Sequence, residues 1–304
     1  MVLCAGNTAF VAAQWSDTPV DIEPAVSELP PSLKKTAVKG GESTPKPQND
    51  TLFSRYFVDQ RNAEGFHICA NFSLNGVDSI LGEIERLERD LKNFLALPRR
   101  NELIEIFLFE SEASYLNFLK NEFPTAPCDR RALFIKQKGM SGIVIMQLTK
   151  EIDDDIRHEM THALLHACYS DIPLWLDEGL AEYFELSPEK RANEKPYIKK
   201  AMNNFIFVKT APSIKRLENI QEIFAFGIKE YQESWAWVHF LIHRSSKTHQ
   251  LLAGYLATVG SGKSVDSFEK YLSRTVPDYK SQYVDHFKNW KDFQISVSKE
   301  NIIR

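Results

Sequence analysis

The chain has 304 residues, 43% of them hydrophobic, 12% aromatic and 26% charged, with a formal net charge of −4. Apolar surface on that scale offsets the entropy of ordering and excludes wholesale disorder, while the lack of a basic excess argues against nucleic acid as a partner. No apolar run approaches the roughly 18 residues of a membrane helix, so no integral span is expected, and four cysteines without a C-x-x-C pair make no disulfide scaffold.

Residues 1–13, MVLCAGNTAFVAA, are apolar and end in small residues, like the tail of a secretory signal, yet lack the basic front of one. The reading leans to export, periplasmic or extracellular, over a cytoplasmic protein with a frayed terminus. Residues 14–50 are rich in Pro, Ser, Thr, Lys and Glu and carry no apolar period, so 1–50 is expected to be a flexible leader. Short β-prone runs at 55–60 and 66–71 suggest a hairpin. Over 79–95, Ile80, Leu81, Ile84, Leu87, Leu91, Phe94 and Leu95 recur at helical spacing. The nearly continuous apolar run 103–109 reads as a buried strand, 111–123 as a helix stopped by Pro124, and 132–136 and 142–148 as two more strands.

From Lys150 onward the signals are helical, with breaks at 170–173, 187–188 and 260–262. The expected fold class is therefore α+β. A small mixed α/β sheet subdomain over 51–150 precedes a mainly helical half over 151–290 and a tail at 291–304, with an active-site cleft between sheet and helices.

The helix that starts near Glu151 contains His158-Glu159-Met160-Thr161-His162. Two histidines four apart lie one above the other on one helical face, so both imidazoles can reach one ion while the intervening glutamate sits beside its open position. After the break at 170–173 a second helix can return beside the first. It offers Glu178, Glu182 and Glu185 on roughly one face, each a possible third ligand, and Gly179 is placed to let the two helices approach closely. His166 and Cys168 are read as packing residues.

HEMTH followed by WLDEGLAEYFE resembles the gluzincin zinc metallopeptidases, the peptidase MA-like superfamily with its thermolysin-like and aminopeptidase-N-like enzymes. It is most like a bacterial branch with a short HExTHxLL…PxWLxEGLAxYFE core. The strict motif spans residues 158–185, and a weaker likeness runs over about 51–290. The resemblance implies one Zn²⁺ on His158, His162 and Glu178, with Glu159 as general base; Glu182, one turn later, is read as a hydrogen-bond acceptor for a ligating imidazole, against the alternative that it and Glu185 form a solvated face. Tyr231 resembles the tyrosine at a Tyr-x-x-Gly/Ser helix opening that steadies the oxyanion in aminopeptidase-N-like enzymes; packing under the helix start is the competing view. His239 and His243 repeat the four-residue spacing without a glutamate and are read as packing or solvated residues.

The run 142–147 stands where the superfamily has an edge strand that pairs with extended substrate. True aminopeptidases carry there a Gly-x-Met-Glu-Asn-like run whose acid grips the substrate amine, whereas here no acid occurs between Gly142 and Thr149. The expectation is a zinc metallopeptidase acting on a peptide or protein substrate, at internal bonds rather than N-terminal residues. The alternative is a catalytically idle zinc-binding interaction module of an exported protein.

Overall fold

The computed structural model describes residues 10–13, 55–100, 102–137, 139–169, 171–193, 210–261 and 266–288. Most of the leader 1–50 and the tail 291–304 lie outside the described residues. The protein is α+β, a mixed sheet followed by a mainly helical half. It divides into two compact units, Met1–Glu88 with Arg99–Cys168, and Arg89–Pro98 with Tyr169–Arg304.

The first unit is built on strands β1 (Phe10–Ala13), β2 (Asp59–Ala63), β3 (Phe66–Ala70), β4 (Ile104–Phe109), β5 (Ala132–Lys136) and β6 (Gly142–Gln147). They form one sheet in the order β1-β5-β6-β4-β3-β2. β3, β4 and β6 run parallel, while the β2–β3, β5–β6 and β1–β5 pairs are antiparallel. Every residue of β4 is buried, Glu105 included, as a nearly continuous apolar run requires of a central strand.

The hairpin is tighter than its sequence suggested. β2 lies at 59–63 rather than 55–60, and only Glu64 and Gly65 connect it to β3. A two-residue connection needs positive φ, and Gly65 supplies it at 75°. Arg100 clamps the turn by donating to the Gly65 carbonyl and, at 2.9 Å, to the Glu64 carbonyl.

One expectation is overturned here. The run 142–147 is not a sheet edge: β6 lies between β4 and β5 and is hydrogen-bonded on both sides. Five of its six residues are buried, and a strand apolar on both faces is stable only inside a sheet.

Successive strand residues point to opposite faces. Phe107, Phe109, Leu133, Ile135, Ile143 and Ile145 form one core cluster with Tyr115, Phe118 and Leu119 of helix α2 (Glu112–Glu122). The Ser111 side chain caps α2 by accepting from the Ser114 amide. Helix α3 (Ile152–Cys168) packs on β5 and β6. Its first turn carries Asp153, Asp154 and Asp155, which the helix dipole favours at that end. Helix α1 (Asp78–Leu95) buries Ile84, Leu87, Leu91 and Leu95 on one stripe, as the periodicity predicted.

The second unit contains α4 (Leu174–Phe184), α5 (Pro188–Arg191), α6 (Ile214–Glu218), a short 3₁₀ turn at Ile223–Ala225, α7 (Ile228–His243), α8 (Ser246–Gly260), α9 (Phe268–Thr275) and α10 (Tyr279–Lys288). The helix that Gly179 admits is α7, and not the histidine-bearing α3 that the sequence suggested. A Cβ at Gly179 would stand 2.7 Å from the Ser234 carbonyl oxygen. Aromatic residues fill this core: Trp175 meets Phe268 edge-on at 5.3 Å, and Trp237 lies on Tyr283 at 4.1 Å. Buried Arg191 donates to Asp90 at 2.6 Å and lies over the Phe184 ring. Among the described residues, no helix is long and apolar enough to cross a membrane.

Candidate metal centre

His158, Glu159 and His162 lie in the buried middle of α3. That placement is set by the ends of the helix and by its ion pairs. Asp155 accepts from Arg131 at 2.9 Å, and Arg157 donates to Glu83 at 2.6 Å and to Asp154 at 2.8 Å. Thr161, next to His162, turns its hydroxyl back to the Arg157 carbonyl at 2.7 Å, which satisfies a buried polar group inside the helix. On β5, the Phe134 ring stacks on the His162 imidazole at 6.1 Å between centroids, with an interplanar angle of 13°. The same ring meets His166 at 5.5 Å, which places His166 in packing.

The two Nε2 atoms of His158 and His162 face each other at 3.3 Å. Two imidazoles bound tetrahedrally at about 2.0–2.1 Å from one zinc would hold their nitrogens about 3.4 Å apart. One ligand atom from each of His158, His162 and Glu178 lies within 4.8 Å of the other two, and all three residues are buried. The donor set is two neutral nitrogens and one carboxylate oxygen, the composition of a three-ligand site. These residues could hold a metal ion.

A second group shares His158. Its ligand atoms and those of Glu182 and Glu185 also lie within 4.8 Å of one another, with Glu182 buried and Glu185 half-buried. Glu182 is thus within reach of the His158 ring, and Glu178 and Glu182 fall one turn apart on α4. Glu159 is fully buried. Tyr231 stands in the first turn of α7, buried edge-on against Phe226 at 5.0 Å, with its amide bonded to the Gly227 carbonyl.

Two features near these residues had no sequence signal. Tyr115 of α2 is fully buried and its hydroxyl takes no hydrogen bond. Burial pushes that phenol above its ordinary range, and the negative field of Glu159 adds to the shift. Phe134 is the other, because a stacking partner on β5 follows from the packing of α3 on the sheet and from no local pattern.

His239 is buried and His243 is half-buried against the Tyr183 ring, so both stand in packing. His239 Nε2 donates to the Ala192 carbonyl at 3.0 Å, so its Nδ1 accepts from His286 Nε2 at 3.0 Å. His243 Nε2 meets the Tyr183 hydroxyl at 2.7 Å. Burial holds all three imidazoles below the ordinary histidine range, His286 at about 3. Among the described residues, Cys69 and Cys128 are free thiols.

Residues 154–266 match the model of a family described as a protein of unknown function, DUF1570. The matched stretch carries both histidines, Glu159, Glu178, Glu182 and Tyr231. The chain matches no curated protein.

Proposed function

We propose that the protein is a zinc-dependent peptidase of the gluzincin type. The observation that carries the reading is the convergence of His158, His162 and Glu178, all buried, with Glu159 on the same helix between the histidines. Two imidazoles with one carboxylate suit zinc better than a hard cation, which prefers an all-oxygen shell. Zinc held by these three residues would supply a Lewis acid that acidifies water and polarises a carbonyl oxygen.

The chain's own residues do the rest. Glu159 takes a proton from the attacking water and hands it to the leaving amine nitrogen. Tyr231 donates its hydroxyl hydrogen bond to the oxyanion of the tetrahedral intermediate. Glu182 accepts from the His158 ring and fixes its tautomer and orientation.

The test is metal analysis of protein purified without added zinc, followed by incubation with a denatured protein substrate. Near-stoichiometric zinc and cleavage are expected for the natural chain. Glu159→Gln should keep the zinc and lose about 10²–10⁴-fold in turnover, whereas His162→Ala should lose both. Zinc without cleavage in the natural chain would leave an idle metal-binding module, and absence of zinc would overturn the reading altogether.

A further inference from the structure

A second cluster of reactive groups lies on β3 and β4, on the sheet face covered by α2, and no part of the metal reading enters it. His67 and Cys69 are two apart on β3 and so share one face. Glu105 of β4 is the direct register partner of His67. His67 Nδ1 lies 2.6 Å from Glu105 Oε2, and His67 Nε2 lies 3.6 Å from Cys69 Sγ. Gln60 Oε1, on the neighbouring β2, lies 3.4 Å from the same Nε2.

The geometry fixes the proton. Glu105 Oε2 and Gln60 Oε1 are both acceptors, one at each ring nitrogen, and both are satisfied only when both nitrogens carry hydrogen. The ring is then an imidazolium, with the Glu105 carboxylate at Nδ1 and the Cys69 sulfur facing Nε2. Hydrogen bonding to Cys69 first and to Glu105 second pushes His67 up to about 10. A further observation points to a ligand. The Glu105 side chain is only 7% exposed, and its Oε1 is buried without a hydrogen-bond partner. An unfilled buried acceptor is destabilising, and a donor that the protein itself does not supply would remove that cost.

We propose that Cys69, His67 and Glu105 form a thiolate–imidazolium–carboxylate relay, a second reactive centre whose substrate is hydrogen peroxide. The thiolate, not the thiol, is the nucleophile, and a neighbouring imidazolium with a third group orienting it is how such thiols are activated. Cys69 is buried at 3% exposure, which restricts the electrophile to a small uncharged molecule bearing O–H donors. In the reaction the Cys69 thiolate attacks one peroxide oxygen. The S–O bond forms as the O–O bond breaks, the sulfur is oxidised by two electrons to a sulfenic acid, and the leaving hydroxide takes the His67 proton to become water. Glu105 keeps its bond to Nδ1 and holds the ring in place throughout.

The experiment uses the full reduced chain, with dilute hydrogen peroxide, a dimedone trap for sulfenic acid and peptide-resolved mass spectrometry. Cys128, which is exposed, is the internal control. Labelling of Cys69 should be flat between pH 6 and 8, whereas an unassisted thiol such as Cys128 should gain about tenfold per pH unit. His67→Asn should slow Cys69 at pH 6 by about tenfold or more and restore the pH dependence. Glu105→Gln, which preserves shape, should slow it in the same direction by less, and covers the case in which the histidine variant fails to fold. Labelling of Cys69 that rises with pH as Cys128 does, that falls below Cys128 at pH 6, or that Glu105→Gln leaves unchanged would overturn the proposal.

Discussion

His158 is shared by two groups of acidic side chains, and the charge of the ligand set decides which of them a metal selects. The pair of histidines with Glu178 offers two soft nitrogens, whereas His158 with Glu182 and Glu185 offers two carboxylates and one imidazole. Zinc favours the first set. Glu178→Gln should therefore lower zinc content sharply, while Glu185→Gln should leave it unchanged; plasma emission analysis of the two purified variants reads the difference. Loss of zinc in the second variant and retention in the first would move the site one turn along α4. At this scale much was legible in advance. The i,i+4 histidines follow from helical geometry alone, but three glutamates on one face were equivalent until the ligand atoms had positions.

Between elements, α4 approaches α7 closely, and one missing side chain permits it. An added methyl at Gly179 would meet backbone, the Ser234 carbonyl carbon at 2.9 Å and its oxygen at 2.7 Å. Backbone cannot rotate aside, so the helices themselves must separate. Gly179→Ala should cost about 1–3 kcal/mol as an overpacked core does, measured as a fall in the denaturation midpoint at constant slope. An unchanged midpoint would show that the contact is looser than drawn. The sequence marked Gly179 as a point of close approach but assigned the wrong neighbour, because a glycine signals that some backbone is near and carries nothing about which. The edge-strand expectation failed for a related reason. A short apolar run is compatible with any place in a sheet, and only the pairing partners of β6 distinguish an interior strand from an edge.

For the whole molecule, the buried histidines of the helical unit couple stability to pH. His239, His243 and His286 all titrate below the ordinary histidine value because burial disfavours their charged forms. The charged groups that act on them, Arg191, Arg244 and His249, lower them further. In the unfolded chain the same groups take up protons below about pH 6.5. The unfolded state therefore binds more protons in acid, and stability must fall as pH falls. It is complete above about pH 6.5 and drains toward the His286 value of about 3. His286 alone contributes a slope of about 1.4 kcal/mol per pH unit within that window. Urea unfolding at pH 7, 6 and 5 in the presence of chelator should show the decline, and His286→Gln should make it shallower. A pH-independent midpoint would mean that these imidazoles are charged in the folded state.

The sequence by itself determined the α+β class, the order of sheet and helices, the stripe that α1 buries and the spacing of the two histidines on α3. All of these are periodicities or spacings of neighbouring residues, and local backbone geometry converts them directly into structure. Tertiary structure alone decided the strand order, the two-residue hairpin turn, the helix against which Gly179 packs and the stacking of Phe134 on His162. It also decided the alignment of Glu105 with His67 across two strands. Each of these is a meeting of residues far apart in the chain, and such meetings are selected by the burial of whole faces against one another, a quantity that no window of sequence contains.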